Sequence, residues 1–414
     1  MLKVLINAYA VSPNMGSEPG MGWNWCVNLA KYCELHIITE GEFRDKIESV
    51  VPTLKQGKNM HFYYLPIGGD NEKKSKDIRK RCWNQGDWRF YIDYAKWQKR
   101  ALRQALYIVN HHHIDIVHQL NMIGFREPGL LWKIEGIPYI WGPTNAKEAF
   151  PVAYLRGASI KKRMFIHLKN TITWFQLKTS NKVHKAAQMA AVVVAASTDS
   201  ANSIKKHLKI EPIVINESGC YTVKKGMEHI YPKETFDLIW VGRFIFTKQL
   251  GLALKSLATT GNSQIRIHIV GGSLEEEKKY KKEAQSLGIE KQCIWHEKIS
   301  HDKVQELMQQ CDLFFFTSIA EGTPHVILEA FNNNLPVLCF DTCGQGDCVN
   351  NDVGIKIPLS TPDQSVKDFA EKIEYLYAHR EVLVRMSENC KKRAEELSWE
   401  KKAKQMVELY NAIC

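Results

Sequence analysis

The 11 cysteines of this 414-residue chain form no Cys-x-x-Cys pair and no regular spacing. That pattern does not describe a disulfide framework, and it reads as reduced thiols of a cytosolic protein. No run of about 18 apolar residues occurs, so no transmembrane helix is expected. Met1-Leu2-Lys3-Val4-Leu5-Ile6 starts like a signal peptide, but Asn7, Pro13, Asn14 and Glu18 interrupt the apolar region, and none is expected. There is no Gly-Lys-Ser/Thr phosphate loop, no clean Gly-x-Gly-x-x-Gly and no Asp-x-Asp. Internal repeats and low-complexity tracts are also missing.

What is present is a chain long enough for two ordinary domains, with a normal apolar share and a net charge of +11. The charge points to an anionic partner: nucleic acid, anionic lipid or a phosphorylated substrate. Two stretches concentrate it. Between Glu72 and Arg103, eleven lysines and arginines alternate with Trp83, Trp88, Phe90, Tyr91, Tyr94 and Trp97. Between Lys161 and Lys185, lysines surround Met164, Phe165, Ile166, Ile172, Trp174, Phe175 and Leu177. Such segments lie on anionic membranes or stack on single-stranded nucleic acid. Equally, their aromatic residues can face the core while the lysines face water.

The chain is organised around Cys311 to Asp347. Asp312 to Phe316 reads as a buried strand. Thr323 and Pro324 announce a helix, Thr as N-cap and Pro at the first helical position. Leu335 to Phe340 is the next strand, making a β-α-β unit of a parallel sheet. The helix amino end, at His325, Val326 and Ile327, would open into the crevice beyond the strand ends and suit a phosphate. Glu321 and Glu329 beside it suit hydroxyl groups instead. A phosphate flanked by hydroxyls describes a nucleotide sugar. Taken alone, Glu321 would as readily be a turn acid and Glu329 a solvated helix residue.

The stretch Glu321-Gly322-Thr323-Pro324-His325-Val326-Ile327-Leu328-Glu329-Ala330 resembles the Glu-x7-Glu signature of retaining glycosyltransferases with the GT-B fold, most closely family 4 (the group 1 type). The resemblance implies an α/β architecture of two facing Rossmann-like domains with parallel sheets and a terminal helix returning to the first. The expected divisions are residues 1–218, 219–396 and 397–414. Val241-Gly242-Arg243, followed by Lys248, resembles the family's pair of cations for the donor diphosphate. Here Gln249 and Leu250 precede Gly251, a small departure at the helix start.

The rest of the expected site is carried over in the same way. Gly16 and Ser17 lie in a Gly-rich loop after the first strand and would face the diphosphate. His118, read as the end of the strand from Ile114, would face the acceptor and take part in catalysis. Asn145, in the loop after Gly142-Pro143, joins it on the acceptor side. Thr323, His325, Val326 and Glu329 are expected on the donor, with Glu321 on the transferred sugar and Glu329 on the ribose. Lys298 and Ile299 follow the strand that contacts the nucleobase in this family.

The implied reaction moves a sugar from a nucleoside-diphosphate sugar to a glycan or lipid-linked acceptor, in the building of a cell-surface polysaccharide. Arg243 and Lys248 would neutralise the leaving diphosphate, so no cofactor and no metal are expected, and a nucleic-acid partner is not. The expected location is cytoplasmic, with peripheral contact at the cytoplasmic face of the membrane left open. The alternative is a basic protein that binds nucleic acid or anionic lipid on the same scaffold without transferring anything.

Overall fold

The computed structural model describes residues 1–414 except 84–86, 148, 157 and 222–234. Two all-parallel sheets account for the architecture. The first contains β1 (Lys3–Ala8), β2 (Glu34–Thr39), β3 (Met60–Tyr64), β4 (Ile116–Asn121), β5 (Tyr139–Thr144), β6 (Val192–Ala195) and β7 (Ile213–Val214). Its strand order is β3-β2-β1-β4-β5-β6-β7. The second contains β8 (Phe236–Val241), β9 (Ile265–Val270), β10 (Cys293–Trp295), β11 (Leu313–Phe316), β12 (Val337–Asp341) and β13 (Gly354–Pro358), in the order β10-β9-β8-β11-β12-β13. Strands such as Leu313–Phe316 carry no alternation because helices cover both faces of a parallel sheet, and all four residues are buried.

In each sheet the strand order reverses beside its first strand, between β1 and β4 and between β8 and β11. That reversal opens a crevice past the carboxyl ends of the strands, where α/β folds hold ligands. The loops leaving β1, β8 and β11 meet there.

β4 differs from its expected bounds. It begins two residues later than Ile114 and continues through His118, Gln119, Leu120 and Asn121. Those polar residues look like a strand exit in sequence. In the fold Gln119 stays inside because buried groups satisfy it: its Oε1 accepts from Asn7 at 2.9 Å and its Nε2 donates to Asn121 O at 2.7 Å. β13 had no counterpart in the sequence reading, since Gly354-Ile355-Lys356-Ile357-Pro358 is short and polar at its centre.

The helix Trp399–Ile413 leaves the second domain and packs on Ser17–Leu29 of the first, with Trp25 and Trp399 edge to face at 5.9 Å. Met406 and Tyr410 sit in the same core as Val4 and Ile6. The two chain crossings run side by side: Cys220 N donates to Leu397 O, and Trp399 N to Cys220 O. Gly219 is needed at that crossing, because a Cβ there would lie 2.8 Å from the Trp399 nitrogen.

Away from the crossings, the two domains cap each other's helices. Asp199 accepts from Thr342 Oγ1 and from Cys343 N, both at 2.9 Å, at the start of the helix Cys343–Cys348. Asp347 accepts from Thr198 N at 2.9 Å, at the start of the helix Thr198–Leu208. Removing a capping carboxylate costs about 0.5–2 kcal/mol. Asp199→Ala and Asp347→Ala should each lower stability by that amount, and Tm with it, with the double variant opening the cleft. Unchanged small-angle scattering in the double variant would mean that these caps do not hold the domains together.

The first basic aromatic stretch resolves toward the core. Phe90, Tyr94 and Trp97 are buried and pack around Tyr9, at ring distances of 5.0 to 5.9 Å, while Trp88 and Tyr91 stay exposed. The second does not. The helix Ile160–Thr179 buries only Ile166, Thr173 and Leu177.

Candidate active site

A cavity of about 440 Å³ opens between the domains. Ser17, Glu18 and Ile123 line it from the first domain, and Gly242, Lys248 and Glu321 to Val326 from the second. Glu217 and Ser218, in the connecting segment, form its floor.

Lys248 and Glu321 are its central pair, with Lys248 Nζ 2.7 Å from Glu321 Oε1. Both are mostly buried. Lys248 comes from a short turn, Phe246–Lys248, after which Gln249 adopts a left-handed conformation and the helix Leu250–Thr260 begins. This is how the extra residues before Gly251 are absorbed. The Thr317 hydroxyl donates to Lys248 O at 2.8 Å, so the exit of β11 grips the Lys248 turn. The ammonium also lies over the Phe316 ring, 4.9 Å from its centroid. Glu321 accepts a further bond from Ser318 Oγ at 2.5 Å. The cavity therefore presents a fixed cation beside a fixed carboxylate, one suited to phosphate and the other to hydroxyls.

The helix His325–Asn332 points its amino end at the same cavity, through His325 and Val326. Thr323 was expected to cap it. Instead Thr323 is buried, its N–H and hydroxyl both donating to Glu217, at 2.5 and 2.6 Å, and Pro324 takes the N-cap position. Ile327 does not offer its N–H either; that group donates to Pro324 O at 3.1 Å. His325 Nε2 lies 3.2 Å from Ser218 Oγ.

Glu217 is a residue the sequence did not flag. It sits in a connecting segment without periodicity, and nothing local marks it. Its carboxylate clamps the loop between Glu321 and the helix, and a Cβ on Gly322 would lie 2.2 Å from Glu217 Oε1. Glu18 was missed as well, although it adjoins the expected Ser17. It accepts from Ile123 N at 2.6 Å. Burial lifts its pKa to about 7; the Ile123 bond opposes the rise and Glu217 adds to it.

This shift has a definite sign. The fold disfavours the Glu18 anion, so ionisation costs stability. The cost is absent below the ordinary value of 4.5, grows between there and about 7, and is complete above 7. Glu18→Gln should therefore raise Tm relative to the native chain above pH 7 and leave it unchanged below 4.5. An equal Tm difference at both ends of that range would contradict the assignment.

His118 requires correction. It is fully buried in β4, with Nδ1 2.7 Å from Tyr410 Oη and Nε2 2.6 Å from Gly142 O. Burial holds it at about 4, neutral at ordinary pH. It ties β4 to β5 and to the terminal helix, and it lines neither of the two cavities between the domains.

Arg243 stands at the edge of the cavity rather than in its lining. It is exposed and, among the described residues, forms no ion pair; its neighbour Gly242 lines the cavity instead. Glu329 lies one turn beyond the cavity and engages another helix, accepting from Gln305 Nε2 at 3.1 Å, with His301 Nε2 3.4 Å away. Lys298 is exposed and Ile299 is half-buried against the core of the second domain. Gly16 is exposed at the start of the Ser17–Leu29 helix, and Ser17 adopts a left-handed φ of 57°. Asn145 lines a second cavity of about 620 Å³ that continues from Glu321 and Gly322 toward Phe165, Ile166 and Lys169.

Residues 227–393 match the family model for glycosyl transferases group 1. The second domain is a group 1 glycosyltransferase domain. The chain is accordingly a glycosyltransferase. Its fold is GT-B, and the likeness to solved structures runs along nearly the whole chain. Anabaena Alr3699/HepE in complex with UDP is 13% identical, with 100% of both chains covered and a TM-score of 0.58. Sucrose-phosphate synthase from Thermosynechococcus elongatus is 14% identical, covering 100% of this chain and 99% of that one, with a TM-score of 0.58. The lipopolysaccharide outer core galactosyltransferase WaaB, in its apo form, is 17% identical over 98% of this chain and 99% of that one, again with a TM-score of 0.58. No curated protein matches the glycosyltransferase by sequence.

Proposed function

We propose that this glycosyltransferase transfers a sugar from a nucleoside-diphosphate sugar to a lipid-linked glycan, with retention of anomeric configuration, in the building of a cell-surface polysaccharide. The observation that carries the reading is the Lys248–Glu321 pair beside the amino end of the helix His325–Asn332. As the glycosidic bond breaks, negative charge grows on the departing diphosphate. Lys248 and the amides of His325 and Val326 meet that charge where it develops, which lowers the barrier more than it tightens the ground state. Arg243, free of any ion pair among the described residues, reaches the same phosphates by rotation of its side chain. Glu321 accepts from hydroxyls of the transferred sugar, Glu329 from the ribose. Lys298 and Ile299 border the base, and Gly16 and Ser17 close over the diphosphate. Solved structures with this fold support a uridine nucleotide as first choice, since HepE was obtained with UDP, with UDP and glucose, and with UDP-glucose. These groups supply the charge compensation, so the reaction proceeds without a metal.

The other cavity supports the acceptor side of this reading. Its wall includes Phe165 and Lys169 of the helix Ile160–Thr179. That helix exposes Ile160, Met164, Leu168, Ile172 and Phe175 along one side, each at least 44% accessible. Spacings of three and four residues keep them on one face. Lys161, Lys162, Arg163, Lys169 and Lys178 are exposed around them. An apolar stripe bordered by cations suits the surface of an anionic bilayer, at its cytoplasmic face. No helix among the described residues is long and apolar enough to cross a membrane.

The test is calorimetric titration with a panel of nucleoside diphosphates, followed by transfer assays with the matching sugars and anomeric analysis of the product. Saturable binding of one diphosphate, with a product that keeps the donor's anomeric configuration, is the expected result. Failure of every nucleoside diphosphate to bind, or an inverted product, would refute the reading.

A further inference from the structure

Glu34, His36 and His61 converge at the amino ends of β2 and β3, the opposite end of the first sheet from the cleft. Strand register brings them together. His36 is the direct partner of His61 across the β2–β3 ladder, and Glu34, two residues before His36, shares its face. Glu34 Oε1 lies 3.5 Å from His36 Nε2 and 3.5 Å from His61 Nε2, and the three donor atoms fall within 4.8 Å of one another. A tetrahedral zinc site with bonds of about 2.0–2.1 Å sets its donor atoms roughly 3.3–3.4 Å apart.

An independent observation concerns His36 itself. The residue is 2% exposed, yet its Nε2 is buried without a hydrogen-bond partner. Its other nitrogen, Nδ1, lies 3.0 Å from the Tyr63 hydroxyl. With Nδ1–H donating to Tyr63, Nε2 carries a lone pair directed at a carboxylate and another imidazole. A divalent cation between the three groups satisfies all of them, and the bond to Tyr63 is the kind of outer contact that fixes the tautomer of a metal-bound histidine. Lys3 now shares Glu34, with its Nζ 3.3 Å from Oε1, but its side chain is 36% exposed and can turn into solvent. His61 is 45% exposed, which provides the route of entry and an open position for water.

We propose that Glu34, His36 and His61 bind a first-row transition-metal ion, zinc by its ligand preferences, as a clasp between β2 and β3. Two imidazoles and one carboxylate favour zinc over magnesium or calcium, which take oxygen ligands. The site lies apart from the sugar-transfer cleft and stabilises the first domain.

The experiment titrates the full chain, stripped with chelator, with zinc chloride alone and measures stoichiometry, affinity and Tm. One zinc ion per chain at sub-micromolar affinity, with a raised Tm, is expected. His61→Ala and Glu34→Gln, both at accessible side chains, should abolish stoichiometric binding while circular dichroism stays native. Tyr63→Phe should weaken it about 10–100-fold. Cobalt(II) should give the intense visible absorption of a tetrahedral site, lost in the same two variants. Zinc binding that survives in His61→Ala and Glu34→Gln, or no stoichiometric binding by the native chain, would overturn the proposal.

Discussion

Lys248→Ala is expected to lower kcat by about 10²–10³-fold, the size seen when one preorganised donor to developing charge is removed. The mechanism predicts more than a loss. Lys248 and Glu321 share an ion pair at 2.7 Å, so removing the cation leaves a largely enclosed carboxylate facing the incoming diphosphate. Nucleoside-diphosphate affinity should therefore fall in Lys248→Ala, and recover in part when Glu321→Ala is added. Glu321→Ala alone should abolish transfer while leaving diphosphate binding intact or stronger. Calorimetry on the four members of this cycle measures the coupling directly. Additive effects on binding would show that the two side chains do not act as a coupled pair, and normal turnover in Glu321→Ala would remove its role on the sugar.

The second large effect belongs to the outward face of the helix Ile160–Thr179. Burying one such side chain fully is worth about 1.5–3 kcal/mol, and insertion at a bilayer surface recovers part of this. Replacing Met164, Leu168 and Phe175 together by Glu should weaken binding to vesicles rich in anionic lipid by at least roughly 100-fold. Transfer to a lipid-linked acceptor should drop in parallel. Transfer to a short water-soluble acceptor should not change, because these side chains lie outside the donor cavity. Added salt should weaken vesicle binding of the native chain, through the ring of lysines. Vesicle binding unaltered in the triple variant would assign the stripe to a protein partner instead.

The second-domain wall of the cavity was legible because its chemistry is local. Glu321, Gly322 and the helix after them occupy one short segment, and the strand before it is an unbroken apolar run. A β-α-β unit places the helix amino end at the strand exit without help from elsewhere. The same reasoning misjudged His118. Its neighbours Gln119 and Asn121 are polar, and polarity in sequence reads as a strand ending, whereas the fold pairs these groups inside. Thr323 has the chemistry of a helix cap, yet a stronger acceptor from another part of the chain, Glu217, claims both of its donors. The aromatic stretches made the point twice over. Similar compositions went opposite ways, the first into a core around Tyr9 and the second onto an exposed face.

By itself, the sequence determined two parallel α/β domains and the segment that lines the cavity, since strand burial and the strand-to-helix turn depend on neighbours along the chain. Only the tertiary structure decided which acids join that segment. Glu18 and Glu217 come from positions remote from Glu321, and their roles arise from burial and from partners that exist once two sheets have met. The cluster of Glu34, His36 and His61 has the same origin: a ladder register, a distance of side chains across strands, that no spacing along a chain expresses.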